Sequence, residues 1–146
     1  MTLPIDPSQL DEEDIGVKRT TLEMGHQEAV EHVREVFTDV GFGIPVEFSP
    51  SELLNEKVDA DRDPYYVLGA CNPSIADRAL DATSKRMGGL FPCNVVIWEE
   101  DPGTQTVYHV SIMRIARLVG IAPDDETMAD IVSDTGDLAD EAFEAL

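Results

Sequence analysis

The chain has 146 residues and a mass of 16.0 kDa, which suits one domain with a single core. Thirty Asp and Glu residues stand against ten Lys and Arg residues, so that the formal net charge is −20. This charge repels phosphate backbones and anionic lipid headgroups, which argues against a nucleic-acid partner and against a membrane surface.

The start of the sequence does not have the pattern of a secretory signal, so we expect none. It is acidic and has neither a basic segment nor an apolar h-region. No apolar run approaches the roughly 20 residues that cross a bilayer. We therefore expect a cytoplasmic protein without a membrane partner, in which the two cysteines stay as thiols.

The balance of charges also predicts a habitat. Self-repulsion at a net charge of −20 favours an expanded chain, yet 42% of the residues are apolar and recur with clear periodicity. Molar salt shrinks the screening length to ~3 Å and removes most of this repulsion. The excess of Asp and the scarcity of Lys are typical of salt-in halophiles, so we expect a halophilic archaeal source. An ordinary acidic protein is the alternative.

The first part of the chain predicts a tail, a strand and a helix. Residues 1–14 form a predicted acidic, flexible tail, because they contain two prolines, an acidic cluster and no periodic pattern. Residues 15–146 form one predicted domain, which starts with a strand at Ile15–Glu23. The apolar spacing that follows predicts an amphipathic helix up to Val40, with Gly41 in the left-handed position after it.

A strand and a capped helix are predicted next. Residues 44–48 form a short predicted strand, which Pro45 restricts to a sheet edge or to a strand start. Ser49, Pro50 and Glu52 then form a capping box with a proline at the first helical position. The pattern therefore predicts a short helix after this strand.

The second half contains the clearest strand signals. An apolar, aromatic strand is predicted at residues 65–70, followed by a helix that Asn72 caps. Residues 93–100 and 105–113 form the two strands of a predicted hairpin around an Asp-Pro-Gly-Thr turn.

The C-terminal part is predicted to be helical. Residues 114–120 form one or two helical turns, and a longer amphipathic helix follows Pro123, which Gly136 could interrupt. Strands and helices interleave without strict alternation. The predicted fold class is therefore α+β, built as a single sheet with helices packed on one face.

The only two cysteines, Cys71 and Cys93, lie in near-mirrored settings, Cys-Asn-Pro and Pro-Cys-Asn. Asn72 caps a helix that begins at Pro73, so the unpaired N–H groups and the positive dipole end favour a thiolate at Cys71. Cys93 begins the next strand and has no such neighbour. The alternative for both is a place in the core, since free cysteine is among the most buried residue types.

The relative direction of the two cysteine-bearing strands decides whether the thiols can meet. Antiparallel neighbours would place the end of one strand beside the start of the other. The connection contains a helix and a short return, which suits a right-handed crossover between parallel strands. The two sulfurs would then lie ~20 Å apart. This geometry counts against an intramolecular disulfide, and whether Cys71 and Cys93 are adjacent stays open.

The histidines provide few candidates for chemistry. A closed zinc site needs four ligands, so Cys71, Cys93 and His109 are only weak metal candidates. His109 lies on an apolar strand, which favours a packed side chain over a catalytic base. His26 and His32 belong to an acidic helix and are expected to be solvated surface residues without a role.

Three stretches together resemble the DUF302 family. YYVLGACNPSIADRAL at 65–80 and FPCNVVIWEE at 91–100 carry the cysteine motifs, and VFTDVGFGIPVEF at 36–48 is similar to a helix of that family that enters a strand. The resemblance covers roughly residues 15–145. It implies a TATA-box-binding-protein-like β-α-β(4)-α arrangement with extra short helices, one copy per chain, and a homodimer. Residues 112–123 depart from the family pattern, which leaves their path open.

Two functions stay open, because the family has no established activity. The first is a small-ligand-binding or interaction module that acts as a homodimer, with Trp98 and Tyr108 at the interface. The second is a thiol-dependent protein that handles sulfur, a metal or a redox equivalent through Cys71, with Cys93 assisting. The residues favour neither an enzyme nor a particular cofactor. The candidate site residues are Cys71, Asn72, Pro73, Cys93, Asn94 and His109.

Overall fold

A computed structural model of the chain describes residues 3–146. Five strands form one sheet: β1 (Lys18–Glu23), β2 (Gly43–Phe48), β3 (Tyr65–Cys71), β4 (Cys93–Asp101) and β5 (Thr104–His109). Five α-helices accompany them: α1 (His26–Val40), α2 (Pro50–Val58), α3 (Pro73–Ala82), α4 (Ile112–Leu118) and α5 (Glu126–Ala145). All strand pairs are antiparallel, and the order across the sheet is β1-β5-β4-β3-β2. The predicted α+β class is confirmed.

Two helices cover one face of the sheet and leave the opposite face open. α1 and α5 pack on the strands and on each other, while α3 and α4 pack on α5. Strand residues alternate between the two faces. The large apolar side chains that are fully buried on the helix-covered face come from the three central strands: Leu68, Val95, Ile97 and Val107. The open face carries the residues between them, among which is Trp98.

Local sequence signals set several element ends where they are predicted. The Ser49 hydroxyl accepts a hydrogen bond from the Glu52 N–H at 3.1 Å and caps α2. Gly41 ends α1 with a φ of 119°, a conformation that glycine adopts without steric cost. The predicted hairpin is also present, with β4 and β5 joined by a tight turn between Asp101 and Thr104.

The first strand begins later than predicted, at Lys18. The residues before it belong to a turn, in which the Val17 N–H donates to the Glu12 carbonyl at 2.9 Å. This bond takes the backbone out of the sheet ladder until β1 starts. The flexibility of the segment 1–14 stays a prediction, and residues 1–2 lie outside the described residues.

Two helices differ from the prediction. β5 ends at His109, and α4 starts at Ile112, where a longer strand is predicted. The Ser111 hydroxyl accepts from the Arg114 N–H at 3.2 Å and caps α4, and the helical spacing buries apolar side chains that a strand would expose. α5 runs through Gly136 without interruption, because its buried residues continue on both sides of the glycine. None of the described helices is long and apolar enough to cross a membrane.

The strands that carry the two cysteines are antiparallel neighbours, so the predicted parallel crossover is wrong. Cys93 lies opposite Ala70, next to the last residue of β3. α3 packs mainly against α5, and a turn with left-handed Ser84 and Lys85 sends the chain back to the same end of the sheet. A connection between adjacent ends of antiparallel strands can therefore contain a helix when another helix buries it.

Candidate functional site

Most of the predicted candidates lie at one end of the sheet, where β3 ends, β4 begins and β5 ends. Cys71 is the last residue of β3, Cys93 the first of β4, and His109 the last of β5. Pro73 is the exposed first residue of α3, and Asn94 is exposed on the strand next to Cys93. The structure brings these residues together in space, although they do not share one cavity.

Asn72 joins two helices at this end of the sheet. Its Oδ1 accepts a hydrogen bond from the Ile75 N–H at 3.0 Å and caps α3. Its Nδ2 donates to the Gly41 carbonyl, at the end of α1, over 3.1 Å. Both polar atoms of the side chain are therefore bonded to backbone, and Asn72 acts as a structural clamp between α1 and α3.

Cys71 and Cys93 line one small void of about 20 Å³. Its walls are mostly apolar and include Phe42, Ile75 and Met113. A space of this size holds about one water molecule, so no organic ligand fits between the thiols unless the walls move. Burial, with a smaller contribution from Cys71, raises the pKa of the Cys93 thiol to about 12. Cys71 itself is half-buried.

His109 lines a different cavity, of about 420 Å³. Its side chain is buried, and its Nδ1 lies 2.8 Å from the Asn94 carbonyl oxygen. A carbonyl oxygen only accepts, so Nδ1 carries the proton and Nε2 carries the lone pair. Burial, and to a smaller extent the charge of Lys18, lower the pKa of His109, while the bond to Asn94 opposes them. The ring is therefore neutral at neutral pH.

The weak metal candidates of the sequence do not form a metal site. Within residues 3–146, no group of three or more His, Cys, Asp or Glu side chains is arranged to hold a metal ion. Cys71 and Cys93 are free thiols. His109 faces the second cavity instead of the void that the thiols line.

A larger cleft, of about 540 Å³, lies between α2 and the open face of β3 and β4. The rings of Tyr65 and Trp98 stack there, with their centroids 5.8 Å apart and their planes within 9° of parallel. Pro50, Leu54 and Pro64 form apolar walls. Burial raises the pKa of Tyr65, so its hydroxyl stays protonated and can donate a hydrogen bond.

The sequence points to Trp98 but does not predict this cleft. The cleft depends on how α2 sits against β3, which Ser51 fixes through two bonds to the Tyr65 backbone, at 2.9 Å and 3.2 Å. The signal for this cleft is the pair Leu54 and Val58, two apolar residues on the short α2 helix that are both exposed. Neighbouring exposed apolar residues indicate a binding or interaction surface.

His26 is not the solvated residue that the sequence predicts. Its Nδ1 donates to Gln105 Oε1 at 2.8 Å, and Gln105 is fully buried. The Gln105 amide nitrogen donates in turn to the Met24 carbonyl at 3.3 Å. Since a buried amide must be hydrogen-bonded, His26 is held at the start of α1 as its partner. His32 is likewise half-buried.

The fold of this chain is similar to that of a protein of known structure. The crystal structure of an uncharacterized conserved protein DUF302 from Bacillus stearothermophilus is similar to this chain, with a TM-score of 0.76 and 24% sequence identity. The similarity covers 88% of this chain and 96% of that chain, and it supports a shared fold alone. No curated protein matches the chain. Residues 18–146 match the model of a domain of unknown function, DUF302, and the chain therefore belongs to the DUF302 family.

Proposed function

We propose that this DUF302 protein is a binding module, which takes a small and mostly apolar ligand in the cleft under α2 and acts as a homodimer. The observation that carries the ligand part is the 540 Å³ cleft with its stacked Tyr65 and Trp98. Ligand sites are typically concave, largely apolar and about 300–1,000 Å³ in volume, with a few polar groups that fix orientation. Arg62, Asp63 and Glu99 are such groups here.

The single tryptophan of the chain makes the cleft testable. A ligand in the cleft should change the emission of Trp98 and raise the melting temperature over the same concentration range. We expect a thermal-shift screen of metabolites and metal salts to find a compound with both effects. Leu54→Lys should abolish both, whereas Val119→Lys, at an exposed apolar position outside the cleft, should abolish neither.

The screen can reject the ligand part in two ways. A compound that stabilises the Leu54→Lys variant as much as the original protein binds outside the cleft. If no compound of a broad panel shifts the Trp98 emission, the proposed ligand binding in the cleft is contradicted.

Exposed apolar side chains support the homodimer. Of the seven large hydrophobic side chains exposed in the described part of the chain, five lie on β2 and α2: Val46, Phe48, Leu53, Leu54 and Val58. The open face beside them carries Trp98 and Tyr108, whose ring centroids lie 5.9 Å apart. Exposed apolar surface of this kind marks interaction sites, and aromatic side chains are enriched in interface cores.

Light scattering tests the homodimer directly. In molar potassium chloride we expect twice the 16.0 kDa mass of the chain at micromolar concentration. Phe48→Glu should return a monomer, whereas Val119→Glu should leave the dimer intact. A 16.0 kDa species for the unmodified protein would contradict the dimer. Phe48 does not line the cleft, so ligand binding by monomeric Phe48→Glu would separate the two parts of the proposal.

A thiol-dependent function is the second candidate, because Cys71 and Cys93 line the same void. The two thiols differ in access, since Cys71 is half-buried and Cys93 is only 8% exposed with a raised pKa. We expect brief alkylation of the native protein to label Cys71 and to leave Cys93 unmodified, as read by mass spectrometry. The unfolded protein, in which both should label, is the control. If neither thiol labels before unfolding, both are core residues and this candidate is excluded.

A further inference from the structure

The His109 cavity, of about 420 Å³, is separate from the cleft under α2. It is enclosed by the turn before β1, the ends of β1 and β5, and the helices α4 and α5. Its walls carry charged as well as apolar side chains. Four lining residues decide what it can bind: the buried His109, the half-buried Arg114, and the exposed Glu12 and Glu13.

His109 offers one nitrogen to this cavity. The residue is 4% exposed, and its bond to the Asn94 carbonyl fixes the proton on Nδ1. Within residues 3–146, Nε2 has no hydrogen-bond partner. Every fully buried side-chain nitrogen or oxygen in that range has a partner, so Nε2 is not fully buried. The open space that His109 lines is this cavity, and Nε2 is therefore accessible from it. The lone pair of a neutral ring calls for a ligand group that donates an N–H or an O–H.

Arg114 adds a cation that forms no ion pair with any of residues 3–146. Its side chain packs beside Gly16, where an added Cβ would lie 3.1 Å from the Arg114 Cδ. No carboxylate of the described chain forms an ion pair with Arg114, whereas Lys18, the other cation of the cavity, pairs with Asp140. Lys18 and Asp140 neutralise each other, so Arg114, Glu12 and Glu13 are the charged lining residues left to bind a ligand.

We infer that this cavity binds a small zwitterion of the amino-acid class, with its carboxylate on Arg114 and its ammonium between His109 Nε2 and the glutamates. A guanidinium is the side chain best suited to a carboxylate, and an ammonium N–H donates well to an imidazole lone pair. A simple anion would meet Glu12 and Glu13 and offer no proton to His109, and a simple cation would leave the Arg114 guanidinium without a carboxylate. The inference does not depend on the cleft or on the homodimer.

Probes that differ by one group test the charge requirement. L-valine carries both charged groups, 3-methylbutyrate lacks the ammonium, and isobutylamine lacks the carboxylate. On addition of L-valine to histidine-labelled protein, we expect a saturable nitrogen NMR shift of His109 Nε2, because accepting a hydrogen bond changes the shielding of that nitrogen. His109→Gln identifies the signal among the three histidines. Both truncated probes should bind at least about tenfold more weakly.

Two arginine variants on the same helix complete the test. Arg114→Gln should weaken L-valine binding roughly tenfold or more, because it removes a charge-assisted contact. Arg117→Gln should leave the affinity unchanged, since Arg117 lines a neighbouring cavity and not that of His109. Neither arginine is fully buried, so both variants should fold. No saturable shift with L-valine, equal binding of 3-methylbutyrate, or an unchanged affinity in Arg114→Gln would each overturn the inference.

Discussion

Asn72 is the residue whose side chain links most of the structure around the cysteines. We expect Asn72→Ala to lower the free energy of unfolding by roughly 1–2 kcal/mol, because it removes the α3 cap and the bond to the Gly41 carbonyl. Asn72→Asp keeps the capping oxygen and loses only the donor, so its free energy of unfolding should lie between those of the unmodified protein and Asn72→Ala. Urea unfolding of all three proteins in one salt buffer measures the effect. Equal midpoints for Asn72→Ala and the unmodified protein would contradict the clamp.

The role of a single residue could be predicted where its partner is close in sequence. The Asn72 cap follows from the Asn-Pro pair at a helix start, because the capped N–H lies three residues further on. Its second bond spans 31 positions to Gly41, and no local pattern announces it. The local sequence predicts a solvated His26 for the same reason, since its partner Gln105 lies 79 positions away on β5.

At the scale of the element, two glycines of similar appearance in the sequence have opposite roles. Gly136 lies inside the unbroken α5, and a Cβ there would meet nothing within 4 Å. Gly41 has a φ of 119°, where any side chain is strained. We expect Gly136→Ala to raise the free energy of unfolding by up to about 1 kcal/mol, and Gly41→Ala to lower it by about 1–3 kcal/mol. Urea midpoints measure both, and a destabilised Gly136→Ala would mean that α5 bends there.

Helices and strands with strong local signals could be predicted, whereas their mutual arrangement could not. The helix caps Ser49 and Asn72, the hairpin turn and the helix-ending Gly41 depend on neighbouring residues, and all lie where the pattern puts them. The antiparallel pairing of β3 with β4 depends on where α3 finds a surface to pack on. That surface is α5, which begins 44 positions after α3 ends, so the sequence around Cys71 and Cys93 gives no sign of it.

For the whole molecule, the sequence predicts the class and the single sheet but not the cavities. The six candidate residues do converge on one end of the sheet, because β3, β4 and β5 meet there. Their surroundings then divide them: the thiols line a void of about 20 Å³, and His109 faces a cavity of about 420 Å³. Cavities of these volumes result from the way whole helices pack on the sheet. Periodicity along the chain predicts the helices and strands but not how they pack.

The charge of the whole molecule should make its stability depend on salt. Within the described residues four ion pairs are present, Lys18–Asp140, Arg34–Glu47, Lys57–Glu56 and Arg78–Asp134, against thirty acidic residues in the chain. Most carboxylates therefore repel one another without a neighbouring cation. Below roughly 0.1 M salt the screening length exceeds ~10 Å, and we expect partial unfolding there. The melting temperature should rise from low to molar potassium chloride, as followed by circular dichroism, and sucrose at matched osmolality should not reproduce the full rise. A melting temperature that stays constant over this range would refute the salt requirement.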